Sequence, residues 1–140
     1  MLTEKQIKLV QDSYVEVAKI SDTASELFYS KLFELRPDLR SLFKNDIEKQ
    51  RKMLMQTLTV AVHSLNELDK LIPVLQDLGR RHTTYRVKDE HYDTVGEALI
   101  WTLGQGLGKT FTNEVKEAWT SVYLTIAKIM KEAAKNKTQK

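Results

Sequence analysis

The residues best placed to do chemistry gather between Leu75 and Val87, LQDLGRRHTTYRV. Leu75, Leu78 and His82 are spaced three and four apart, so on a helix the imidazole shares the apolar stripe. A ring buried there needs partners for its nitrogens. The segment alone leaves two readings open: a core histidine bonded to a backbone carbonyl, or a ligand to a metal or a haem iron. Arg80 and Arg81 lean toward the ligand, because cations beside it suit a cofactor that carries carboxylates. Two more polar side chains border apolar stripes. Tyr29, taken alone, reads as a boundary tyrosine with a wet hydroxyl. Gln50 is either exposed near a helix start or turned into a pocket.

Composition narrows what such groups can serve. A length of 140 residues is one domain with a real core, and 41% hydrophobic with 29% charged residues is ordinary for a globular protein. The net charge of +3 comes from 22 basic and 19 acidic residues whose signs alternate, so no nucleic-acid stripe is expected. With no cysteine there is neither a disulfide nor a thiolate ligand. The first twenty residues are amphipathic and mixed in charge, unlike a signal peptide, and no apolar run nears the ~20 residues of a membrane span. The cytoplasm is the expected location.

The elements that must position these groups follow from spacing. Thr3 and Gln6 form a capping box for a first helix that runs to about Ile20, carrying Ile7, Val10, Tyr14 and Val17. Ser21, Asp22 and Thr23 supply fresh cap chemistry for a second helix over Ala24–Leu35, with Leu27, Phe28, Leu32 and Leu35 on its stripe. Pro37 stops it and starts a short helix to about Leu42, with Phe43 in the following loop. Asn45 and Glu48 predict the cap of a helix over about Asp46–Leu65, with Gln50, Leu54, Leu58 and Ala61 or Val62 on one face. A polar connection at Asn66–Lys70 precedes Pro73, which opens the segment leading to His82. Tyr92, Val95, Leu99 and Leu103 mark the next helix, ended by Gly104–Gly108; His91 is expected on the surface.

GQGLG followed by Lys109 and Thr110 imitates a phosphate-binding loop, but Leu103 stands where glycine is needed and a helix precedes it rather than a strand. Thr112 caps the last helix, whose stripe of Val115, Trp119, Val122, Ile126, Ile129 and Ala133 is the longest in the chain. No strand alternation or repeat interrupts these helices. The fold class is all-α, a domain over 1–134 with a basic, frayed tail over 135–140.

Six or seven helices in this length, one of them ending in a lone histidine, suggest a haem pocket of globin type. Phe28-Tyr29, Pro37, Leu42-Phe43, Gln50-Arg51 with Leu54, Gly79-Arg80-Arg81-His82, His91-Tyr92 through Val95-Gly96-Glu97, and Ala118-Trp119 with Tyr123 stand in order at characteristic separations. On these residues the chain resembles bacterial single-domain globins and the globin domain of flavohaemoglobins, from about Thr3 to Glu132.

That resemblance implies a globin fold of six to eight helices around haem b. It makes His82 the proximal iron ligand, Phe43 the ring stacked on the haem, Tyr29 and Gln50 the distal hydrogen-bond donors, and Leu54 the apolar wall. Tyr92 and Glu132 match the tyrosine and glutamate that share a hydrogen-bonded set with the proximal histidine. Leu78, Val87 and Val95 join the cofactor-contacting set, and Arg81 either pairs with a propionate or stays solvated. His63, thirteen residues beyond Gln50 and roughly 20 Å along the same helix, is not expected to reach the iron.

The implied function is tight O2 binding at ferrous iron with conversion of O2 and NO to nitrate, against an alternative of oxygen storage, delivery or sensing. Because the sequence stops at Lys140 without a flavin or nicotinamide domain, turnover is expected to need an external reductase. The expected assembly is a monomer or weak dimer.

Overall fold

The structure is a computed structural model that describes residues 2–42, 47–84 and 88–138. Six α-helices account for most of them: α1 (Glu4–Lys19), α2 (Ser21–Leu35), α3 (Ile47–His63), α4 (Leu68–Thr84), α5 (Asp89–Leu107) and α6 (Asn113–Thr138). Short 3-10 turns occupy Pro37–Leu42, Leu65–Glu67 and Gly108–Thr110. The expected all-α architecture is the one observed.

Local chemistry explains where these helices start. The Thr3 hydroxyl accepts from the Gln6 amide, and the Gln6 side chain accepts from the Thr3 amide, both at 3.0 Å, so α1 begins on a complete capping box. Thr112 caps α6 by accepting from the Val115 amide at 3.3 Å. The expected cap at Ser21–Thr23 is not used. A one-residue corner at Ile20 separates α1 from α2, leaving no room for a cap, and Ser21 is already helical.

Two other boundaries move. Pro73 lies inside α4, which begins at Leu68 rather than at the proline. Leu71 and Leu75, each 2% exposed on either side of it, anchor that turn, while Asp69, whose carbonyl loses its usual donor, is exposed to water. Helix α5 runs through Gly104 and Gly106 to Leu107, whose buried side chain holds the last turn. It ends at Gly108, where φ is +56°, a conformation glycine adopts at no steric cost.

Helix α6 is the hub. It packs against α4, α1 and α5, while α2 lies across α5 and α3. The larger core joins Val10, Tyr14 and Val17 of α1, Leu71 and Leu75 of α4, Leu103 of α5, and Ala118, Trp119 and Val122 of α6. Trp119 is almost wholly enclosed yet its indole N–H donates to Ser13 Oγ at 2.8 Å. Tyr14 OH meets Thr59 Oγ1 at 2.6 Å. Burying a ring of this size contributes on the order of 3 kcal/mol, provided its polar atom is bonded, as here. A second, smaller core lies between α2, α3 and α5.

Candidate functional site

The smaller core is built around Tyr29. Phe28, Tyr29 and Leu32 of α2 meet Leu39 and Ala98, with Leu54 of α3 and Val95 and Leu99 of α5 packed against them. Tyr29 is 7% exposed, so the wet boundary position suggested by its spacing is not the one it takes. Phe28 stands edge-on to its ring at 5.1 Å and Phe33 lies tilted at 5.9 Å. This apolar surround disfavours the phenolate and pushes the Tyr29 pKa up to about 12. The side chain therefore keeps its proton, and with it a donor, across the physiological range. Leu54 and Val95, both half-buried, join Tyr29 in this cluster. Gln50 is also half-buried, one helical turn before Leu54 on the same face of α3.

The opposite group of residues belongs to the larger core. Leu78 packs against it from α4, and Tyr92, 8% exposed, lies in the first turn of α5. His82 falls four residues after Leu78, in the last turn of α4; its imidazole lies outside the described part of the structure. Phe43 and Val87, expected at the cofactor, also lie outside the described residues. What the structure does show is how closely α4 is held. A Cβ on Gly79 would sit 2.3 Å from the Met130 carbonyl oxygen of α6, so only glycine permits this approach of the two backbones. The close approach lies three residues before His82.

Tyr92 is held from α6 as well. The Tyr123 hydroxyl donates to its backbone carbonyl, and the Lys131 ammonium lies 5.5 Å from its ring centre. Burial raises the Tyr123 hydroxyl pKa, with Tyr92 and Asp93 adding to the shift, so this donor also stays protonated. Gly96 makes room for the Tyr123 ring, which a Cβ there would approach to 2.6 Å. Glu132 is exposed on α6, and Arg81 is exposed and paired with Asp77 at 3.2 Å. His63 is exposed at the end of α3, with its ring edge-on to Tyr14.

His91 corrects an expectation. It is 6% exposed, not a surface residue, and its Nδ1 accepts from the Lys88 amide at 3.0 Å, closing the start of α5. Desolvation lowers its pKa; Arg36 lowers it further, against weaker opposing effects of Glu90 and Asp38. The signal was its position three residues past the helix cap, where an acceptor side chain folds back on the backbone. The Gln50-Arg51 motif gives Arg51 no role of its own, yet its guanidinium makes three hydrogen bonds to α2.

Leu99 packs against both cores, so the cluster that holds Tyr29 and the core that takes in Leu78 and Tyr92 adjoin through this residue of α5. A family model described as Globin matches residues 26–130, three quarters of the chain.

The chain belongs to the globin family.

Its relatives include the flavohemoprotein of Bacillus subtilis, 28% identical over 130 residues, which cover 91% of this globin and 33% of that protein. The neuroglobin of Tetraodon nigroviridis is also 28% identical, over 96% of this chain and 94% of its own. An engineered carbene transferase from Rhodothermus marinus superposes with a TM-score of 0.90 at 26% identity, covering 99% of this chain and 97% of its own. A globin from Campylobacter jejuni, 24% identical, shares the fold with a TM-score of 0.85, covering 99% of this chain and 100% of its own. This globin spans about a third of the length of the flavohemoproteins it matches. Family membership implies haem binding. Among the described residues, no helix is long and apolar enough to cross a membrane.

Proposed function

We propose that this globin holds haem b with His82 as the iron ligand, binds O2 tightly and converts O2 and NO to nitrate. The observation that carries this reading is Tyr29: a buried, protonated phenol in the apolar cluster of Phe28, Leu32 and Ala98, against which Leu54 and Val95 pack. Bound haem would supply the ferrous iron that takes up O2. Tyr29 would donate to the negative end of the polar ligand, and the Gln50 amide would supply a second donor from α3. Each such bond is worth roughly 1.5–3 kcal/mol. Leu54 would shield the ligand, and Phe43, Leu78, Val87 and Val95 would be the residues that hold the haem. In this reading Tyr92 would orient the His82 imidazole and make it more basic, with Glu132 as the carboxylate of the set. Arg81, paired with Asp77 on the surface, would be the cation available to a haem propionate.

The nitric oxide dioxygenase activity proposed for the parent of the Rhodothermus marinus protein supports the catalytic reading. This globin would act in the cytoplasm as a monomer or weak dimer, with electrons from a separate reductase. One observation favours storage, delivery or sensing instead: Glu132 is exposed, whereas Lys131 lies over the Tyr92 ring. Mixing the oxy form with NO tests the choice. The dioxygenase reading expects rapid loss of the oxy spectrum with one nitrate formed per haem. A slow reaction without nitrate overturns it in favour of the alternative.

A further inference from the structure

Three polar contacts between α2 and α3 come from one side chain, Arg51. Arg51 Nε donates to Ser25 Oγ at 3.1 Å, and its Nη2 donates to the Asp22 carbonyl at 2.7 Å and to Asp22 Oδ1 at 2.9 Å. The Asp22 side chain is fully exposed, so the carboxylate contact is screened by water and contributes little. The other two differ. Ser25 is 2% exposed, the Arg51 side chain is 18% exposed, and a guanidinium bonded to a carbonyl and a buried hydroxyl is directional as well as charge-assisted.

The place of this latch gives it meaning. Asp22, Ser25 and Tyr29 are spaced three and four apart, on one stripe of α2. On α3, Arg51 follows Gln50 directly and stands three residues before Leu54, which packs in the Tyr29 cluster. The latch is therefore one helical turn from the Tyr29–Leu54 packing on both helices. Apolar contacts between helices resist separation better than sliding, whereas a planar fork with fixed acceptors sets axial position. A cleft of about 420 Å³ over the latch, lined by Ser21, Glu48, Lys52 and Gln56, leaves few packed atoms to take over that task.

We infer that Arg51 is a positioning residue: by fastening α3 to the first turn of α2 it sets where the Gln50 amide stands relative to the Tyr29 hydroxyl, and so the strength with which the pair holds a diatomic ligand. The inference rests on the proposed distal roles of Tyr29 and Gln50. A shift of about 1 Å in a donor is enough to lose most of its effect on a bound ligand.

The test uses the ferrous haem-loaded protein, with carbon monoxide as the probe. Arg51→Met keeps the apolar stem and removes the fork, Arg51→Lys keeps only the charge, and Ser25→Ala removes one acceptor while leaving Arg51 in place. The C–O stretch is expected to rise and broaden in both Arg51 variants, and O2 to dissociate roughly fivefold faster. Ser25→Ala is expected to move both in the same direction by less. The iron–histidine stretch should stay unchanged, and amide exchange should rise over residues 47–54 but not in α4. In a Tyr29→Phe, Gln50→Leu background, Arg51→Met should have no further effect on the C–O stretch.

An unshifted C–O stretch and unchanged O2 release in the Arg51 variants, with Tyr29→Phe still shifting both, would overturn the inference alone. Faster exchange throughout the chain would assign Arg51 a general structural role instead, and also overturn it. No shift in Tyr29→Phe and Gln50→Leu themselves would remove the distal reading, and the inference with it.

Discussion

Spacing along one helix says which stripe a residue is near, not what a neighbouring helix brings over it. Taken alone, Tyr29 reads as a boundary residue beside its own apolar stripe, but it is 7% exposed in a cluster that Leu54 and Val95, from two other helices, pack against. His91 looked like a surface residue next to Tyr92, and the turn at Lys88 folds the backbone onto its ring. The capping bond requires Nδ1 without a proton. A folded state that favours neutral His91 has its full stabilisation above the unfolded pKa of 6.5 and loses it as pH falls. The melting temperature should therefore drop between about pH 7 and pH 5. His91→Gln, which keeps an acceptor at the same helix position but cannot titrate, should flatten this part of the profile. Thermal denaturation across that range checks it, and equal slopes in the two proteins would contradict the role given to the imidazole.

At the scale of elements, the helices announced themselves through caps and stripes, and the boundaries that moved did so under tertiary packing. Proline normally starts a helix, but burial of Leu71 and Leu75 carries α4 across Pro73. Glycines normally end one, but Gly104 continues α5, with a Cβ there meeting Phe111 only at an ordinary 3.4 Å. Gly79 differs because its neighbour is the α6 backbone rather than the end of a side chain. Gly79→Ala must push α4 off α6 and is expected to cost roughly 1–3 kcal/mol or more. The displaced helix carries His82, so haem should also be lost faster. Gly104→Ala is the control, expected to change stability by less than about 1 kcal/mol. Urea unfolding and haem transfer to an acceptor globin measure both. Similar behaviour of the two variants would show that the α4–α6 approach does not locate the ligand helix.

For the molecule as a whole, the family was legible because its signals are distributed: a tyrosine on the second helix, Gln50 and Leu54 on the third, a histidine at the end of the fourth, all at characteristic separations. The position of Glu132 was less legible. A long helix offers neighbouring registers that differ by about 100° per residue, and Lys131, next to Glu132, lies over the Tyr92 ring. The central claim is that one pocket holds haem through His82 alone, with the distal side left to Tyr29 and Gln50. The absorption spectrum of the reduced, haem-reconstituted protein tests it most directly, alongside His82→Ala. A five-coordinate ferrous spectrum that is lost in the variant is the result expected. A six-coordinate spectrum, or one unchanged by His82→Ala, would contradict the assignment.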